Sequence, residues 1–385
     1  MVAVVVLLVS VPHFPDVSVT PLPRNVVLFY DDYPLRRVPA FQITSATVDP
    51  LIAYFDESGK PLGFMFDGII LYNLRLSAPF FPTQQVVSSY MSYLFNGSQL
   101  ANLDHEVGLI KQKLGADSNY ELSVYLSVPV VYPNGTVPVP NFGRYVNVAN
   151  VRNNIDILSA AWAKLAPTNL RLIGFYWGFT ESVSDQIDTL IRNGVAPYLH
   201  SKGLKLLMIP CCLTSNSWSL IHSLGVDLAT GQPNFMEDET SNKTRFTAVN
   251  AQLQAGNIDG VEFETPPSAN PINCCGGNAT LNAQTYYQYA FQYHWYRNRM
   301  NTYYYGPALS MMATGTDSGL GLRSIYDLTY QFIQASRTGV VTNTFPSAPI
   351  VTDTITNTAT PPLNLAVETT WCAKGASAVS WRTPR

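Results

Sequence analysis

The chain has 385 residues, 46 % of them hydrophobic and only 13 % Asp, Glu, Lys or Arg, a balance that supports a large folded core and excludes a disordered chain or a coiled coil. With 23 Lys and Arg against 26 Asp and Glu the formal net charge is −3, so the basic footprint that neutralises phosphate backbones is missing and no nucleic-acid partner is expected. In place of charge stand 22 Tyr, 18 Phe, 6 Trp and 27 Pro, which give a surface that stacks and hydrogen-bonds.

The apolar run Val2–Val11 is too short to span a bilayer. It has the length of a secretory signal's hydrophobic region, but no positive residue precedes it and no A-x-A site follows. Residues 1–19 therefore read either as a signal segment or as a Val-rich strand that packs on a neighbouring subunit. No later run reaches the roughly 20 apolar residues of a transmembrane helix, so no membrane-spanning segment is expected.

From about residue 20 to 335, β-branched or aromatic runs alternate with helical stretches, the pattern of β/α units around a parallel sheet. Eight strands are predicted: 26–30, 68–72, 122–131, 170–176, 205–210, 225–230, 259–264 and 303–311. Helices are predicted over 84–94, 103–114, 151–164, 182–200, 245–255 and 283–296. Eight strands with crossovers suit a (β/α)8 TIM barrel, and no Gly-rich phosphate fingerprint follows the first strand to favour a dinucleotide-binding sheet. Residues 41–66 read as an inserted β-hairpin turning at Ser58-Gly59. After about Phe332 the chain becomes Thr/Pro/Asn-rich and nearly uncharged, so 336–385 reads as an extended or small β-rich C-terminal tail.

In such a barrel the working groups project from the carboxyl ends of the strands. Asp67, at the start of the second strand, is either a turn residue or a hydrogen-bonding partner for sugar hydroxyls. The fourth strand runs LRLIGFYWGFTE, placing Tyr176 and Trp177 just before Glu181. A carboxyl among aromatics suits a protonated general acid, while a Glu at this point also suits the first turn of a helix. On the seventh strand, IDGVEFETPP, Glu262 and Glu264 are two apart and share a face. Carboxylates facing a barrel interior are costly unless paired, solvated or functional. They are either a salt-bridge set with Arg171 or Lys205, or a nucleophile or base (Glu264 first) with a partner that tunes it. Gln232 and Asn234, in the QPN turn, are further candidates to bond sugar hydroxyls; Trp218, Tyr304 and Tyr305 join Tyr176 and Trp177 as candidates to stack on sugar rings.

The cysteines form two adjacent pairs, Cys211–Cys212 and Cys274–Cys275, with Cys372 left over. Adjacent cysteines turn poorly onto one metal, so disulfides between the pairs are expected, and no metal or other cofactor. The histidines show no paired metal spacing and no G-x-S-x-G elbow occurs. Sequons at Asn96, Asn134, Asn242 and Asn278 are compatible with glycosylation and a secreted or cell-surface location.

The motifs FDGIIL, NFG (Asn141–Gly143), LIGFYWGFTE, GVDLATGQPNF and DGVEFE, in this order, resemble the secreted family grouped as domain of unknown function 4855, over roughly residues 26–335. The resemblance implies an exported TIM barrel of glycoside-hydrolase-like character. Phe235 supplies the aromatic that the family places after QPN; the Cys-Cys pairs and Leu213–Ser217 depart from its pattern. The expected function is hydrolysis of a polysaccharide or glycan, with Glu181 as acid and Glu264 or Glu262 as nucleophile or base. The competing expectation is a non-catalytic surface or matrix protein that assembles through its termini.

Overall fold

The computed structural model describes residues 22–32, 42–73, 76, 83–115, 119–130, 148–178, 191–210, 218–235, 243–264, 279–305 and 322–341. Its strands are β1 (Asn25–Asp32), β2 (Ala53–Phe55), β3 (Pro61–Phe64), β4 (Gly68–Asn73), β5 (Leu122–Ser127), β6 (Leu170–Trp177), β7 (Lys205–Met208), β8 (Leu228–Gly231), β9 (Gly260–Glu264) and β10 (Asn301–Tyr304). All but β2 and β3 close into one barrel in the order β1-β10-β9-β8-β7-β6-β5-β4, every pairing parallel. With the helices between its strands this is a (β/α)8 TIM barrel.

Among the described residues the α-helices are α1 (Ser45–Ile52), α2 (Gln84–Met91), α3 (Gln99–Leu114), α4 (Val148–Leu165), α5 (Ala196–Ser201), α6 (Thr244–Gln254), α7 (Ala279–Gln292) and α8 (Leu322–Thr338). None among the described residues is long and apolar enough to cross a membrane.

Several boundaries differ from those predicted. The insert before β4 is a helix followed by a hairpin: α1 buries Val48, Leu51 and Ile52 at helical spacing despite Pro50, and only β2 and β3 form the antiparallel pair. Its turn is centred as predicted, with Gly59 at φ 78° and Asp56 Oδ1 accepting the Ser58 and Lys60 N–H groups at 2.9 Å. The sixth barrel strand starts at Leu228, because His222–Leu224 form a 3-10 turn that ends on Gly225 at φ 90°. The eighth is Asn301–Tyr304, earlier than predicted. Helix α8 carries barrel packing through Ser336, past the compositional change at Phe332.

Two apolar layers result. Alternate residues such as Val26, Leu28, Ile70, Tyr125, Ile173 and Leu207 fill the barrel, while Val27, Ile69, Val124, Leu206, Val261 and Phe263 pack under the helices. Inside, the hydroxyls of Thr230 and Thr302 bond each other at 2.7 Å, both fully buried. Gly260 permits a close strand contact: an added Cβ would lie 1.3 Å from the Met300 carbonyl oxygen.

At the amino end one device occurs three times among the described residues. Asp67 donates its backbone N–H to Asn25 O (2.9 Å) and accepts the Asn25 N–H on Oδ2 (3.2 Å). Asp227 does the same with Leu206 (3.0 and 2.8 Å), and Asp259 with Ala229 (both 2.7 Å). Each aspartate clasps both polar groups of one residue on the neighbouring strand. Arg337 balances Asp67 at 2.6 Å, Lys205 balances Asp227 at 2.9 Å, and His200 Nε2 hydrogen-bonds Asp227 at 2.8 Å.

Candidate active site

The carboxyl end of β9 carries Glu262 and Glu264, 1 % and 3 % exposed, in alternation with Val261 and Phe263, which face the helices. Glu262 pairs in register with Thr302, and Glu264 with Tyr304. The loop after β8 supplies their partners. Gln232 Nε2 donates to Glu262 Oε2, and the Asn234 N–H donates to Glu264 Oε2 at 2.8 Å. Asn234 adopts φ 52°, a left-handed conformation that Asn tolerates better than most residues, and its carbonyl accepts Arg245 Nη1 at 2.8 Å. The QPN turn is thus folded so that one side chain and one backbone amide point at successive glutamates.

A third donor comes from α7. Tyr286 O–H donates to Glu264 Oε2, and its oxygen accepts the Phe235 N–H at 3.1 Å. Burial holds the Tyr286 phenol well above its ordinary range, and the Glu264 charge adds to the effect, so it remains a donor across working pH. Phe235 is fixed against Phe246 at 4.9 Å between ring centroids.

Tyr176 fills the barrel below this rim. Its phenol is likewise held well above its ordinary range, by burial first, then by Tyr72 and the Glu262 charge. Tyr72 meets it edge-on at 5.1 Å and donates to Gly178 O at 3.2 Å. Tyr304 is half-buried and packs on the same interior cluster.

The structure therefore brings together Glu262, Glu264, Gln232, Asn234, Tyr176 and Tyr304, and adds Tyr72 and Tyr286. Tyr72 shares the strand parity of Ile70, a signal present in the sequence; nothing local marks Tyr286, whose position depends on how α7 docks.

Other candidates stand elsewhere. Trp177, fully buried, points to the helical layer, because successive strand residues face opposite sides. Tyr305 lies beyond the end of β10 and bonds Tyr287 (2.5 Å) and Thr329 (3.0 Å) in that layer. Trp218 packs its ring over Gly231, where an added Cβ would come within 2.6 Å. Asp67 sits at the opposite, amino end in the ion pair with Arg337. Lys205, read as a possible partner of the glutamates, is held by Asp227, and Arg171 Nη2 reaches Ser123 Oγ at 3.5 Å. Glu181, Cys211, Cys212, Cys274, Cys275, Cys372, Asn134, Asn242 and Asn278 lie outside the described residues. Asn96 is exposed at the end of the turn that follows α2. Among the described residues no group of three or more His, Cys, Asp or Glu side chains is placed to hold a metal ion.

The family model described as Domain of unknown function (DUF4855) matches residues 25–331. No curated protein matches the sequence. Among solved structures, a mutant tryptophan synthase alpha-subunit from the hyperthermophile Pyrococcus furiosus is 12 % identical, covering 81 % of this chain and 98 % of its own, with a TM-score of 0.36. The xylanase-alpha-amylase inhibitor protein XAIP-I, solved with trehalose, is 13 % identical over 78 % of this chain and 98 % of its own, with a TM-score of 0.40.

Proposed function

The chain belongs to the DUF4855 family, and from that premise we propose that it is an extracellular glycoside hydrolase whose reaction centre is the rim of the barrel around Glu262 and Glu264. The observation that carries this reading is a pair of buried glutamates at the carboxyl end of one strand, each held by a donor from the neighbouring loop. Two donors converging on Glu264 Oε2 suit a group that works as an anion, the nucleophile or the base that activates water. Glu181, four residues past the end of β6, takes the role of general acid, protonating the leaving oxygen. Tyr304, beside Glu264, offers a ring to the sugar face. The exposed Asn96 sequon supports an exported protein.

The test is reducing-end release from a panel of polysaccharides by the wild type and by Glu181→Gln, Glu262→Gln and Glu264→Gln. Glutamine keeps a carbonyl oxygen to accept from Asn234 and Tyr286, so the fold is retained. Turnover should fall by about 10²–10⁴ in Glu181→Gln and Glu264→Gln. Unchanged turnover in both sinks the reading.

A second reading rests on the same hydrogen bonds. Glu264 ties the loop after β8 to the barrel, which is also what a non-catalytic surface scaffold needs. In that case no polysaccharide is cleaved, and Glu264→Ala loosens the loop without any loss of activity to record.

A further inference from the structure

At the amino end of the barrel, far from the glutamates, β3 and α8 enclose a groove of about 360 Å³ lined by Leu62, Gly63, Phe64, Asp67, Tyr120, Tyr330, Gln334 and Arg337. Its size is at the lower end of small-molecule clefts, roughly 300–1,000 Å³. Two stacked aromatic pairs frame it: Phe64 on Tyr120 at 3.6 Å and Tyr54 on Tyr330 at 4.0 Å, both with planes within 5°. Gly63 has no side chain to fill it, and an added Cβ there would come within 2.5 Å of the Tyr330 hydroxyl.

The charges of this groove are already engaged. Arg337 gives Nε and Nη2 to Asp67 Oδ1, Nη1 to Phe64 O and Nη2 to Met65 O. Asp67 Oδ2 accepts the N–H and the Nδ2 of Asn25. An anion finds no spare guanidinium fork, and a cation no spare carboxylate. The polar groups left for a ligand are neutral: the Gln334 amide and the Tyr330 hydroxyl, neither of which hydrogen-bonds another described residue through its side chain. Aromatic faces, one amide and one hydroxyl beside a neutralised ion pair match a neutral ligand with an apolar face and several hydroxyls.

We propose that this groove is a saccharide-binding site, separate from the rim that carries Glu262 and Glu264. It holds a sugar ring against Tyr330 and Phe64, with its hydroxyls bonded to Gln334 and Tyr330. It does not depend on the hydrolase reading, and a barrel without turnover would still bind here.

Saturation-transfer NMR on the full chain tests it with cellobiose, xylobiose, maltose and diacetylchitobiose as probes. The variants are Tyr330→Phe, which keeps the ring on Tyr54, Gln334→Ala, and Glu264→Gln as the control for the opposite rim. At least one disaccharide should bind, with its dissociation constant raised about five-fold or more by Tyr330→Phe and by Gln334→Ala, the scale of one lost hydrogen bond. Glu264→Gln should leave that constant unchanged. The proposal is overturned if no probe binds, if binding ignores both groove substitutions, or if Glu264→Gln removes it. A dimer on light scattering that becomes monomeric in Leu62→Glu, with no probe bound, also overturns it, by giving the groove to a second copy.

Discussion

Tyr286 donates its phenolic hydrogen to Glu264 Oε2 from outside the barrel, so a helix of the outer layer sets the direction of a carboxylate at the rim. Because the same phenol oxygen accepts the Phe235 N–H, one side chain couples α7, the loop after β8 and the end of β9.

Removing that hydroxyl tests the coupling. Tyr286→Phe leaves a buried carboxylate short of a donor and a buried N–H short of an acceptor, at a cost of about 1–3 kcal/mol. Urea unfolding should report a lower midpoint at unchanged slope, and polysaccharide turnover should fall more than the stability loss alone accounts for. Equal turnover at matched folded fraction would show that Tyr286 braces the loop and nothing more.

The Thr230–Thr302 pair gives a second test inside the barrel. Thr230→Val alone strands the partner hydroxyl in a dry interior and should cost about 1–3 kcal/mol, whereas Thr230→Val with Thr302→Val replaces both and should restore most of that loss. A double-mutant cycle from thermal melts measures the coupling; simple additivity of the two losses would contradict the hydrogen bond.

Asp227 accepts from Leu206 N, Lys205 and His200 at once. Asp227→Ala removes all three acceptor contacts at the amino end and should lower stability by about 2–3 kcal/mol. Under the proposed hydrolase reading its folded fraction should still cleave polysaccharide at the wild-type rate, because Gln232 and Asn234 follow β8 at the other end. A lost rate in well-folded protein would contradict that division.

Asp49, between α1 and α3, has its carboxyl pushed up to about 6, by burial first and then by the neighbouring Glu106, against the opposing Lys113. A carboxyl whose pKa is raised on folding contributes stability below its unfolded pKa, near 4, and that contribution is lost as pH rises through 6. Relative to the wild type, Asp49→Asn should therefore gain about 1–2 kcal/mol between pH 4 and pH 7 once solvent screening is allowed for. Melting curves of both proteins across that interval provide the measurement, and parallel pH profiles would rule the shift out.

The barrel was legible because its strands are compact β-branched runs, and the glutamate pair because a spacing of two must share a face. Local sequence does not sort the aromatics. Tyr176 and Trp177 are adjacent, and only the register, which shifts where Val124 and Tyr125 face Leu172 and Gly174, decides which of them turns inward. Tyr305 follows the same rule: alternation from Tyr304, which turns inward, sends it with Tyr303 into the helical layer. Asp67 shows the limit of local reading, since a DG pair looks like a turn or a ligand until α8 returns with Arg337 from the far end of the chain.

The three aspartate clasps also bear on how the barrel tolerates change. Each one grips the N–H and the carbonyl of a single residue on the adjoining strand, so a slide of that strand along its neighbour releases both bonds together. Alignment of the staves is thereby set from below, before the upper loops contribute. The loops above can then lengthen, shorten or exchange residues while the strands beneath them hold their stagger.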